Sequence, residues 1–225
     1  HDLLLNQQLN NRQNEARTLS ALGVIEHLRR NFHEAILYHR QALAIREQIG
    51  DRAGLGASQL NIAQSLGNLG NHSAAEPMLR EALRTQQTLN NQWWQAITLN
   101  ELGILHLIVG NFAKASTYLE QGLTLNQEGI EAYLLCNLGQ VLRDTGELMR
   151  AEEMLQKGIC LAHAQGDAHL EAIYLNDLAL VSLYIQEFSE ALERAKASLE
   201  KFLMLRLELS TTSDLAIVAT AQLAL

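Results

Sequence analysis

The residues able to do chemistry in this 225-residue chain are few and badly placed for catalysis. His33-Glu34 is followed by His39 rather than by a histidine at the spacing of a zinc protease helix. Six residues turn about 240° around a helix, so the two imidazoles diverge. Cys136 and Cys160 do not make a close metal pair. No glycine-rich loop of the phosphate-binding kind is present. Glu152-Glu153 reads as a solvated face, and the eight histidines are scattered. These patterns imply no catalytic residue, no cofactor and no metal site. What remains is recognition chemistry. Asn61 and Asn137 stand two residues before a recurring small residue, Asn100 and Asn176 three before it. Gln64, Gln140, Arg17, Arg143 and Tyr133 sit at related spacings. Amides in such a series can hold a peptide main chain or tie one helix to the next.

The elements that position these residues are repeated hairpins. Leu22-Gly23 returns as Ile62-Ala63, Leu102-Gly103, Leu138-Gly139 and Leu178-Ala179. Twelve residues after each small residue stands an alanine: Ala35, Ala75, Ala115, Ala151, Ala191. Seven further on come Ala42, Ala82, Gly122, Gly158 and Ser198, each followed by a large apolar residue. The period is 40, 40, 36 and 40 residues. A period of this length marks a solenoid, because one unit cannot bury its apolar face alone. Each unit reads as a helix, a tight turn and a second helix, with small residues where the two axes approach. Gly23 and Ala35 belong to the contact inside a hairpin, and Ala42 to the contact with the next.

The pattern of Leu22-Gly23, Ala35 and Ala42 in five copies resembles the tetratricopeptide repeat family, over essentially the whole chain. The unit here is longer than the usual 34 residues, and the proline that often closes it is missing. The longer period is similar to the variant in kinesin light chain, G-protein-signalling modulators and bacterial signalling ATPases and regulators. The resemblance implies an all-α fold: an α-solenoid, a right-handed superhelix of antiparallel hairpins, with five full repeats and a half repeat at each end. Residues 1–225 read as a single solenoid domain, with repeats near 14–50, 52–90, 92–127, 129–165 and 167–209. Partial helices at 1–11 and 211–225 would bring the total to about twelve helices. Leu9-Asn10-Asn11-Arg12 aligns with Ile49-Gly50-Asp51-Arg52, which predicts a helix break there, a start inside the second helix of an earlier repeat and a fragment of a longer array. The four-residue deletion lies near 126–130. Ser73-Ala74-Ala75-Glu76 reads as a capping box that places Pro77 in a first helical turn. Trp93 and Trp94 read as packing at a joint between repeats.

In this family the first helices line the inner, concave wall. Carried onto this chain, that wall falls at offsets −6, −3, +1 and +4 from the small residue, and includes Arg17, Gln64, Ile97, Asn100, Ile104, Tyr133, Cys136, Gln140, Arg143 and Asn176. With Asn61 and Asn137 these residues form the expected partner-binding groove, apolar with scattered amides. Some relatives clamp a terminal carboxylate with lysines on first helices. Here Lys114, Lys157, Lys196 and Lys201 are the only lysines, all on second helices. The reading that follows is a non-catalytic protein- or peptide-binding scaffold, the sensor or docking region of a larger bacterial signalling protein. The alternative is a regulatory domain whose groove binds a metabolite.

Composition narrows the setting. A net charge of −8 disfavours non-specific binding to nucleic acid or anionic membranes. Two cysteines make no disulfide framework and suggest a reducing, cytoplasmic compartment. No apolar run approaches a membrane span. Apolar surface on the terminal helices predicts self-association.

Overall fold

The computed structural model describes the backbone of residues 2–205 and 211–224, and the side chains of 11–205 and 216–224. Among the described residues there are eleven helices and no strand. They are α1 (Asp2–Leu28), α2 (Phe32–Ile49), α3 (Arg52–Asn68), α4 (His72–Thr88), α5 (Gln92–Ile108), α6 (Phe112–Leu123), α7 (Glu128–Asp144), α8 (Leu148–Gln165), α9 (Ala168–Tyr184), α10 (Phe188–Met204) and α11 (Thr211–Ala224). The chain forms two compact units, His1–Leu105 and His106–Leu225. In the first unit α1 packs on α2, α2 on α3 and α3 on α4; in the second the same succession runs from α6 to α11. First helices also touch the next first helix, as α1 with α3, α7 with α9 and α9 with α11.

The small residues sit where the spacing predicts. Ala35, Ala75, Ala115, Ala151 and Ala191 are fully buried. A Cβ added to Gly23 would lie 2.5 Å from the His39 ring of its own hairpin, and one on Gly139 would lie 2.6 Å from Leu155. One on Gly122 would lie 2.6 Å from Leu134 of the following hairpin. Two contacts, within and between hairpins, thus account for the two small positions.

Each turn inside a hairpin closes on a left-handed residue: Arg30, Gly70, Gly110, Gly146 and Gln186, with φ between 65° and 85°. The next residue opens the second helix. Asn71 and Asn111 cap it by accepting from the backbone N–H of Ala74 and Lys114. Asp51 and Asp167 cap first helices in the same way, accepting from Gly54 and Leu170.

Three local expectations are corrected. Helix α1 runs unbroken through Asn10-Asn11, so the described residues form eleven helices rather than about twelve. The aligned break at Gly50-Asp51 rests on a left-handed glycine and a capping aspartate, and neither residue stands at 10 or 11. The cap of α4 is Asn71, not Ser73, whose hydroxyl only donates to the Asn71 side chain. Pro77 is therefore the sixth residue of α4, beyond the first turn. It removes the bond to the Ser73 carbonyl, and both residues are exposed, so water can satisfy that oxygen. The deletion falls on α6, which has 12 residues where the other second helices have 17 or 18. Trp93 is half-exposed and Trp94 part-buried at the start of α5.

Candidate binding face

The first helices were expected to offer four side-chain positions each to a ligand. The structure divides those positions into two sets. Three residues before the small residue, Leu60, Asn100, Cys136 and Asn176 are all buried. That position lies about 60° from the small residue around the helix, so it shares the hairpin-facing side. Cys136 accordingly lies against Gly158 of α8, where a Cβ would strike its sulfur. Burial raises the Cys136 thiol pKa, with a further push from Asp177. The other set stays accessible. Arg17 and Val24 are exposed, and Gln64, Ile97, Ile104, Tyr133, Gln140, Arg143, Ile173 and Leu180 are part-buried.

Several polar members of this face are engaged from repeat to repeat. Gln64 on α3 donates to the Glu101 carboxylate on α5 at 3.1 Å. Burial raises the pKa of Glu101, and the Gln64 bond opposes that shift. Gln140 on α7 donates to Asp177 on α9 at 2.5 Å, and Arg143 donates to the other Asp177 oxygen. Burial pushes the Asp177 carboxyl up while Arg143 and Gln140 hold it down. Tyr174 on α9 donates to the Asn137 side-chain oxygen at 2.6 Å. Tyr133 donates to Asp167 at 2.6 Å, and its phenol is pushed up to about 12 by burial first and by that carboxylate second. In the first unit His27 and Ser65 lie 2.9 Å apart. Asn137 is thus bonded to the next first helix. Asn61 is part-buried, and its carbonyl accepts from Ser65 at 3.0 Å.

Sequence reasoning missed the acids. Glu101 and Asp177 both lie two residues before a small residue, and each lies 37 residues after the glutamine that binds it. That shared offset is a legible signal. Glu152 is likewise no solvated face: it is part-buried and paired with Arg194 at 2.9 Å, whereas Glu153 is exposed beside Lys157. Glu152, Glu187 and Glu190 approach one another, but Arg194 already bridges Glu152 and Glu190.

Two tetratricopeptide repeat family models match the chain, one over residues 16–49 and the other over residues 54–128. This is a tetratricopeptide-repeat chain. Among curated proteins none matches it. Solved structures do match the tetratricopeptide-repeat fold seen here. The nearly identical repeats of a kinesin-light-chain-like protein of Podosopora anserina align with a TM-score of 0.68 at 16% identity, covering 86% of this chain and 97% of that one. A signal transduction ATPase with numerous domains from Pyrococcus horikoshii, which carries a tetratricopeptide-repeat sensor, aligns with a TM-score of 0.78 at 19% identity. That match covers 96% of this chain and 34% of the ATPase. The apo form of RapI aligns with a TM-score of 0.68 at 13% identity, over 94% of this chain and 83% of RapI. At these identities the likeness shows the fold.

Proposed function

We propose that this chain is a non-catalytic scaffold whose first-helix face binds a protein or peptide, and that it serves as the sensor or docking region of a larger bacterial signalling protein. The observation that carries this reading is the apolar series left accessible once the amides are engaged: Val24, Ile97, Ile104, Ile173 and Leu180. Such a series supplies binding energy along each unit. The signal transduction ATPase supports the sensor role, since its own repeats are its sensor. The free thiols Cys136 and Cys160 suit a cytoplasmic setting, and no described helix is long and apolar enough to cross a membrane.

The test is photo-crosslinking in extract of the source organism, with a reactive residue at Ile104 or Leu180 and, for comparison, at Met149, an exposed residue on α8. A discrete protein adduct from the first two positions supports the reading. Adducts from none of them, or equal adducts from Met149, overturn it.

Self-association belongs to the same proposal. Leu22 and Ile25 on α1 are 38% and 45% exposed, while Ile62 and Leu102, the counterparts of Leu22, are 2% and 0% exposed. A second copy covering this face would give a dimer by light scattering. A strict monomer at high concentration would exclude it.

A further inference from the structure

The first-helix face carries two matched polar sites, one in each compact unit, and a single side chain sets them apart. In the second unit the Asp177 carboxylate on α9 receives Gln140 and Arg143 from α7. Arg143 also donates through Nε to Asp144, the residue after it, at 2.8 Å. Its guanidinium thus lies between two acids, and its side chain is 15% exposed. In the first unit the same offsets carry Gln64 on α3 and Glu101 on α5. There Gly67 stands at the position of Arg143, and Asn68 at that of Asp144. A Cβ built on Gly67 meets nothing within 4 Å, so the place where an arginine would leave the helix is open space. Among the described residues no cation pairs with Glu101, and its polar partner is Gln64. Asn68 donates its Nδ2 to the Gln64 carbonyl at 3.0 Å and keeps its Oδ1 as an acceptor.

We propose that the open place beside Gly67 binds the guanidinium of an arginine brought by the protein or peptide partner, with Glu101 as its counter-charge and Asn68 as a second acceptor. This inference rests on the reading of the first-helix face as a partner surface, and names one residue that the partner supplies. The second unit shows the occupant, because the same glutamine and acid hold an arginine there. A part-buried carboxylate answered by one amide is under-compensated, and an incoming cation corrects that. Guanidinium suits the place better than ammonium. Its planar fork serves Glu101 and Asn68 together, as Arg143 serves Asp177 and Asp144, whereas an ammonium is a single point of charge on a flexible stem. Ile97 and Ile104 stand about one turn to either side of Glu101 on α5, so apolar parts of the same partner find surface next to the arginine.

The probe is N-acetyl-arginine amide, added to isotope-labelled chain and followed by the NMR signals of the Gly67 N–H and the Gln64 side-chain amide. Both signals are expected to shift along a saturable curve in the millimolar range. The neutral citrulline analogue should bind about tenfold more weakly. Glu101→Gln can still accept from Gln64 but carries no charge, and should weaken the arginine probe by about the same factor. A second arm needs no ligand. Gly67→Arg puts a guanidinium into the site from its own helix, and Gly67→Gln matches it in helix propensity. The arginine variant should melt higher than the glutamine variant and should block the probe, and its advantage should vanish when Glu101→Gln is added. No shift at Gly67, equal binding of the citrulline analogue, or undiminished binding to Glu101→Gln would overturn the proposal. The photo-crosslinking at Ile104 separates this failure from that of the face. Adducts undiminished by Gly67→Arg would keep the face and overturn the arginine; probe binding without any adduct would keep the guanidinium site and overturn the face.

Discussion

Asn137 shows how a residue suited to recognition can be committed to the fold. Its side-chain oxygen accepts from the buried Tyr174 hydroxyl, so Asn137→Ala leaves that hydroxyl without its acceptor. The expected loss is about 1–3 kcal/mol in denaturant unfolding, partly recovered by adding Tyr174→Phe. Loss of a partner with unchanged stability would instead make Asn137 a recognition residue. Arg143→Met is the harsher case, since it leaves the buried Asp177 carboxylate without its cation and with Gln140 alone, and about 3–5 kcal/mol is expected. His39 gives a pH signature. Burial first, then the charges of His27 and Arg46, hold its pKa down to about 4. An unfolded histidine titrates near 6.5, so the unfolded chain takes up the proton first as pH falls. The stability tied to a neutral His39 is complete above about pH 6.5 and drains away toward pH 4. The melting temperature should drop across that window, and His39→Gln should flatten the drop. An equal drop in both proteins would assign it to other groups.

At the scale of elements, the sequence carried most of the hairpin. Five copies of one small-residue pattern placed the within-hairpin and between-hairpin contacts, because a missing Cβ has few other uses in a packed helix pair. Boundaries were less legible where one residue type serves two geometries. Asn71 caps a helix while Asn10 lies inside one. The groove residues were half legible. A helical offset says which side a residue faces, but the bond from Gln64 to Glu101 depends on how two hairpins stack. Turn chemistry yields a prediction of its own. Arg30 and Gln186 hold φ values of 65° and 67° where Gly70, Gly110 and Gly146 stand in the other turns. A side chain in that region is strained, so Arg30→Gly should stabilise by about 0.5–1 kcal/mol in thermal unfolding. A loss of stability would mean that the arginine side chain outweighs its backbone strain.

For the molecule as a whole, stability in a stack of repeats is roughly a sum over hairpins and their neighbour contacts. Hydrogen exchange should therefore be slowest in helices covered on both sides, such as α7 and α9, and fastest in α1 and α11. Uniform protection along the chain would point to one all-or-none core instead. The polar ties between first helices add something that apolar packing cannot. Hairpins built on one packing pattern risk pairing out of order while the chain folds. Gln64 and Gln140 stand at the same offset and would serve either acid, but Asp177 also meets Arg143, and among the first helices only α7 carries an arginine at that offset. A wrong neighbour leaves that acid buried without its cation. Asp177 thus acts as an address, and one step in the order of the hairpins is written in charge.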